Sequence, residues 1–295
     1  MDPYGFIVPP GQSFRLKERD PAFTSNLADE QAAQAHLREL HTSLTTYQDM
    51  LLAQESYAVL VVVQAMDGAA KDGTISAVFA HLDPQGVAVA AFKEPAGEEV
   101  RHDYLWRFNR QLPERGQIGV FNRSYYEEVV TTFVHPEQLD QQHLPDELRR
   151  PADEAWRERR YHQINNFERY LVENGIVVLK CFLHLSKDKQ RERLLERTTR
   201  REKQWKFSPR DIEDRYRWDD FMHAYEETLN HTSTPWAPWY VIPADHRWFT
   251  PVAVAELVVD CLARLNLSYP ESGSEQREAI ARAGHLLEHE QDVHP

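Results

Sequence analysis

Leu37, Leu40, Leu44, Tyr47 and Leu51 recur at steps of three and four residues, which predicts a helix from Leu27 to about Gln54. Directly after it, Tyr57 to Gln64 is a short, unbroken, β-branched apolar run. Apolarity on both faces predicts a central strand of a parallel sheet. Val87 to Phe92, Ile118 to Phe121, Ile176 to Leu183 and Trp239 to Ile242 supply four more strand candidates. Between them lie stretches of helical character at Thr74–His81, Glu98–Arg110, Ser124–Phe133, Glu154–Asn174, Lys187–Arg201 and Asp211–Asn230. Strand alternating with helix about five times predicts an α/β fold with a doubly wound, parallel, five-stranded sheet flanked by helices.

Residues 1–27 are punctuated by Pro and Gly without a sustained period and read as an extended N-terminal arm. Residues 28–270 read as a single domain, in which the Arg-rich pair of helices at about 187–217 forms a helical lid. From Glu271 the chain turns polar and acidic, which predicts a C-terminal extension made of a helix and a frayed tail. No internal repeat is apparent.

Composition narrows the function classes. Hydrophobic residues make up 41% and aromatics 11% of 295 residues, enough for a sizeable core and incompatible with a largely disordered chain. A net charge of −13 argues against a protein that coats nucleic acid, since such proteins carry a basic surplus to meet phosphates. The longest apolar run, Ala58 to Val63, is strand-length, so no membrane span is expected. The N-terminus shows no secretory signal, and a cytoplasmic location is the expectation. Cys181 and Cys261 sit in apolar runs and read as buried free thiols. The 14 histidines read as scattered surface residues rather than as a metal site.

Ten of the 34 bases fall between Arg191 and Arg217 with six acids among them, a local excess of about +4 in an acidic protein. Guanidinium forks suit phosphate oxygens. On charge alone, a solvated helix with ion pairs such as Glu192 and Glu196 against Arg197 and Arg200 explains the window better.

The chemistry centres on Ala65 to Thr74, directly after the first strand. Strand, small-residue loop, Lys71 and then helix is the layout of a phosphate-binding loop: amides curl around an anion, and the helix N-terminus and lysine complete the cradle. The standard pattern has Gly at 65 and 70 and Ser or Thr at 72, whereas this chain has Ala65, Ala70 and Asp72. Gly68, Lys71 and Gly73 supply the expected chemistry, and taken alone the segment reads equally well as an ordinary strand-to-helix turn.

Gln64 to Thr74, with Asp67 and the Lys71-Asp72-Gly73 sequence, resembles the loop of the type-2 polyphosphate kinases. The resemblance continues in register through Asp83–Val87, Phe92–Pro95, Glu98–Arg107, Gly116–Ser124, Gln163–Glu168, Phe182–Ser186, Trp205–Pro209 and Trp236–Trp248. Val8–Gly11 and Arg15–Lys17 in the arm are also similar to the family. The resemblance covers about residues 4–270. It implies a P-loop-kinase-like fold and reversible transfer of phosphate from inorganic polyphosphate to nucleoside mono- or diphosphates with magnesium, manganese being the alternative ion. Asn122, where other branches have Asp, is similar to the branch that uses both AMP and ADP; GDP is a further candidate acceptor. The partners implied are polyphosphate, AMP, ADP, ATP and guanine nucleotides, and the resemblance also implies a homo-oligomer, dimer or tetramer.

Carried onto this sequence, the resemblance places Asp67, Lys71, Asn122 and Arg123 in catalysis, with Asp67 also the metal ligand. Gly68, Ala70, Asp72, Gly73 and Lys93 are expected around phosphate, and Tyr126 and Glu127 around the nucleotide. Arg193, Arg197, Lys206 and Arg215 are expected to face the polyanion from the lid. Trp236, Trp239 and Trp248 read either as base-stacking rings or as packing around the last strand. Ala70 in an active enzyme is expected to have a negative φ, because a positive one strains any residue with a Cβ. An ATP-dependent nucleoside monophosphate kinase and a catalytically weak polyphosphate or nucleotide binder are the competing readings.

Overall fold

The computed structural model describes residues 3–145, 148 and 153–289. Five parallel strands form the sheet: β1 (Ala58–Gln64), β2 (Val87–Ala91), β3 (Ile118–Asn122), β4 (Ile176–His184) and β5 (Trp239–Pro243), in the order β2-β3-β1-β4-β5. Every residue of β1 is buried, as its two-faced apolarity requires. Val63 pairs with Asn122 and Gln64 with Phe182, so β1, β3 and β4 end side by side at one mouth of the sheet.

The helices are α1 (Glu30–Gln54), α2 (Lys71–Phe79), α3 (Trp106–Asn109), α4 (Glu127–Val134), α5 (Glu154–Glu173), α6 (Lys187–Thr199), α7 (Pro209–Tyr216), α8 (Trp218–Thr232), α9 (Phe249–Ala263) and α10 (Ser274–Glu288). Leu40, Leu44 and Leu51 of α1, Ile75 and Val78 of α2 and Val252, Val254, Leu257 and Val258 of α9 pack on Val59, Val61 and Val63 from one side. Val129 of α4, Ile164 of α5 and Phe221 of α8 pack on Leu60 and Val62 from the other. Burying alternate faces of one strand in two cores fixes its register.

Three elements differ from the sequence-based expectation. The helix expected over Glu98–Arg110 shrinks to a turn at Glu99–Arg101 and the four residues of α3. Asp103 Oδ1 accepts from the Leu105 N–H, a local turn that competes with the helix. The expected Asp211–Asn230 helix breaks at Arg217 into α7 and α8. Helix α9 has no sequence-based counterpart, because it is apolar nearly all round and lacks a clear 3.6-residue contrast.

The arm is strapped onto the body. Val8 N–H donates to Trp239 O at 2.8 Å, Ile7 bridges Tyr240 in antiparallel fashion, and Phe14 N–H donates to Asn230 Oδ1 at 2.8 Å. Helix α10 forms within the acidic extension, with Leu286 and Leu287 exposed; the expected frayed tail at 290–295 lies outside the described residues. Cys181 is buried, Cys261 half-buried, and both thiols are free. Among the described residues no helix is long and apolar enough to cross a membrane.

Candidate active site

The loop after β1 and the turn after β3 meet at the strand mouth, the position where open α/β sheets bind ligands. Gly68 has φ of 90°, and a Cβ there would lie 3.3 Å from Gln190 Cγ, so a side chain at this position would be both strained and crowded. Ala70 has φ of 65°, which overturns the expected negative angle: the loop enters α2 through a left-handed residue, and alanine bears the strain of about 1 kcal/mol or more. The loop is fixed from behind. Lys71 Nζ donates to Ala65 O at 2.8 Å and Met66 O at 3.4 Å, Gln190 Nε2 to Asp67 O at 2.9 Å, and Arg193 Nη1 to Gly68 O at 3.0 Å.

Asp67 faces two cations, Arg123 Nη2 at 2.6 Å and Lys71 Nζ at 3.7 Å from its Oδ1. Burial pushes its carboxyl up, but Lys71 and Arg123 outweigh burial and hold it at about 2. Arg123 is itself left-handed, with φ of 65°, and its N–H donates to Val63 O at 3.0 Å. Its Nη1 reaches Glu127 Oε2 at 3.3 Å. Glu127 also accepts from Gln64 Nε2 at 3.1 Å and from Thr131 Oγ1 at 2.6 Å. Asn122 Nδ2 donates to Asp72 Oδ1 at 2.8 Å, and Lys206 Nζ lies 2.8 Å from the other Asp72 oxygen. The Lys206 bond, ahead of opposing burial, holds the Asp72 carboxyl below its ordinary value. Asp67, Lys71, Asp72, Asn122, Arg123, Glu127 and Lys206 thus share one charged cluster, with Gly68, Ala70 and Gly73 in the loop and first turn beneath it.

The four cations expected on a lid divide. Arg197 Nη1 reaches Asp211 Oδ2 at 2.7 Å, and Arg215 Nη1 donates to Lys187 O at 2.6 Å and Gln190 Oε1 at 3.0 Å. Arg193 does not face a polyanion. It is buried, and besides Gly68 O its guanidinium donates to Ala244 O at 2.6 Å and Asp245 O at 2.9 Å, so it braces the loop from the protein side. Tyr126 also departs from the sequence-based expectation: it is fully buried, and its hydroxyl donates to Glu168 Oε1 at 2.7 Å rather than reaching a ligand. Trp239 is buried with Nε1 donating to Thr232 Oγ1 at 2.9 Å, and Trp236 and Trp248 pack against the two cores, which favours packing over base stacking.

Beside the cluster opens a cavity of about 300 Å³. Phe92, Phe108, Tyr104 and Tyr225 give it apolar walls, and Lys93, Glu127, Glu128, Arg210, Asp211 and Asp214 line it with charge. Arg107 also lines it. Its Nη1 donates to Glu99 Oε2 at 2.7 Å, and its guanidinium lies 5.2 Å from the Phe92 ring centre and 5.1 Å from that of Phe108. Asp214 Oδ1 is held 2.8 Å from His135 Nε2. Sequence reasoning alone gives no site role to Arg107, Glu128, Asp211 or Asp214. The signals present in the chain are Arg107 at the end of the Glu98–Arg107 segment and the carboxylates interleaved with the lid cations.

A parallel α/β sheet with a lysine-bearing anion loop, a charged turn on the adjacent strand and a basic helical segment beside both defines a phosphotransferase of the P-loop kinase type. The family model of polyphosphate kinase 2 matches residues 27–269, and the chain belongs to that family. It is 44% identical over 244 residues to the ADP-polyphosphate phosphotransferase of Rhodopseudomonas palustris, covering 83% of this chain and 84% of the relative. It is 43% identical over 270 residues to the AMP/ADP-polyphosphate phosphotransferase of Meiothermus ruber, covering 90% and 95%. The crystal structure of polyphosphate kinase 2 from Arthrobacter aurescens superposes with a TM-score of 0.85 at 37% identity, covering 96% of this chain and 97% of that one.

Proposed function

We propose that this enzyme transfers a phosphoryl group between inorganic polyphosphate and nucleoside mono- and diphosphates, with AMP and ADP as the main acceptors and magnesium as the ion. The observation that carries the reading is the Asp67, Lys71 and Arg123 cluster, with an apolar-walled cavity beside it and Lys206 paired to Asp72 at its edge. The cavity takes a nucleotide, and the cations around Lys206 take a polyanion. A terminal phosphate oxygen of the acceptor attacks the end phosphorus of the chain, and the bridging P–O bond to the next phosphate breaks with its electron pair leaving on that phosphate. Lys71 and Arg123 carry positive charge to the point where charge gathers on the moving group, and the loop amides fix its position.

A hard cation takes carboxylate, phosphate and water oxygens. Asp67 fits that donor set: its carboxyl titrates at about 2 and is ionised at neutral pH, and it stands next to the phosphate loop. Among the described residues no group of three or more His, Cys, Asp or Glu forms a ready-made cage, so phosphate and water oxygens complete the donor set. When bound, magnesium neutralises phosphate charge. The test is nucleotide formation from polyphosphate plus AMP, ADP or GDP with magnesium, and its loss on chelation. Turnover with ATP alone as donor would instead identify a nucleoside monophosphate kinase, and binding without turnover a non-catalytic binder.

A further inference from the structure

Beneath the site lies a buried polar network that the transfer chemistry does not itself use. Lys180 stands in the middle of apolar β4 and Glu168 on α5, and both are fully buried. Lys180 Nζ is 2.7 Å from Glu168 Oε2, 2.9 Å from Tyr126 Oη and 2.7 Å from Thr232 O. Glu168 Oε1 accepts from Tyr125 at 2.8 Å and Tyr126 at 2.7 Å. All three ammonium protons and both carboxylate oxygens are therefore engaged. Burial and the adjacent Glu168 carboxylate hold the Tyr126 phenol well above its ordinary range, so it stays a donor at neutral pH.

The two tyrosines are the second and third residues after Arg123 and immediately precede Glu127. Arg123 holds a left-handed backbone, which a side-chain-bearing residue keeps only where its surroundings over-determine it. On one side the turn is held by the Arg123 N–H on Val63 O and by the guanidinium on Asp67. On the other, the anchor is the pair of phenols. A buried ion pair often adds little net stability over apolar packing of the same volume, and in some proteins its role is to specify which groups meet. We propose that Glu168 and Lys180, acting through the hydroxyls of Tyr125 and Tyr126, are positioning residues that hold Arg123 and Glu127 in place at the transfer site.

This rests on the phosphotransfer reading for its kinetic consequence but not for its structural one, and the test separates them. Tyr126→Phe removes one hydroxyl and keeps the ring; Tyr125→Phe is the second variant. Amide hydrogen exchange across residues 122–127 is expected to quicken about tenfold in Tyr126→Phe while β1 and β5 stay as in the parent. With polyphosphate and nucleotide, kcat is expected to fall about tenfold with KM little changed. The Arg123→Lys, Tyr126→Phe double variant should lose less than the product of the two single losses. Unchanged exchange in the turn, equal quickening throughout the sheet, a parental kcat, or losses that multiply in the double variant would each overturn the proposal. A parent enzyme without polyphosphate-dependent transfer would overturn the functional reading instead, and the exchange data would still decide whether the network holds the turn.

Discussion

Arg123 Nη2 sits 2.6 Å from Asp67 Oδ1 and ties the turn after β3 to the loop after β1. Two segments 56 residues apart thereby share one charge balance at the strand mouth. Asp67→Asn leaves Arg123 and Lys71 facing a neutral amide and removes the carboxylate proposed for magnesium. Turnover should fall about a hundredfold or more while the fold persists. Near-parental activity, or loss of the folded circular dichroism spectrum, would return Asp67 to a structural role.

The same carboxyl gives an acid-stability prediction. It titrates at about 2 when folded and near the ordinary 3.9 when unfolded, so the folded state binds fewer protons between those values. Its contribution, about 2 kcal/mol, is complete above the unfolded value and is lost as pH falls through 2. Urea midpoints of the parent and Asp67→Asn should converge between about pH 4 and 2. A constant gap across that range would refute the linkage.

Glu128, at the cavity wall, has the opposite sign. Burial pushes its carboxyl up to about 7, against the pull of Arg160 and Gln142. The folded state holds an extra proton between about 4.3 and 7, so this group's contribution is present below that window and is lost as pH rises through it. Glu128→Gln should gain about 2 kcal/mol relative to the parent between pH 5 and 8, whatever the offset at a single pH. Parallel stability curves for the two proteins would rule this out.

Ala70→Gly should relieve the left-handed strain. Glycine is favoured there by about 1–2 kcal/mol, and its freer unfolded chain offsets about 0.4–1 kcal/mol of that. A rise in Tm of about 1–3 °C with equal or higher kcat is expected. A large loss of activity would show that the alanine methyl is part of the working loop.

The phosphate loop is legible in the chain because its parts are contiguous: strand, Gly68, Lys71 and helix follow one another. Asn122 and Arg123 are reachable because they end a recognisable strand. Arg193 and Tyr126 mislead because their partners are remote. Helical spacing puts Arg193 and Arg197 on one face, yet Arg193 meets carbonyls at 68, 244 and 245 while Arg197 meets Asp211. Tyr126 follows a strand mouth like a ligand contact, and only Glu168 on α5 and Lys180 in β4 turn it inward. A lone lysine inside the apolar run Ile176–His184 is the signal the chain does carry, since such a charge requires a buried partner.

Lys206 is paired with Asp72 and Arg197 with Asp211, so both of these cations already face a carboxylate. A polyphosphate chain offers many charges in place of one and reaches more cations as it lengthens. Lys206→Gln and Arg197→Gln should therefore raise KM for polyphosphate more than KM for nucleotide, and more for long chains than for short ones. At 1 M salt the difference should shrink, because the Debye length falls to about 3 Å. An exposed pair is worth only about 0–1 kcal/mol, so a tenfold effect requires partly enclosed, multi-contact binding. Arg193→Gln supplies the contrast. Its shorter amide cannot reach the carbonyls of Gly68, Ala244 and Asp245 together, so Tm should fall and activity should drop equally for short and long donors. Equal losses for both donor lengths in Lys206→Gln and Arg197→Gln would show that the lid cations do not guide the chain.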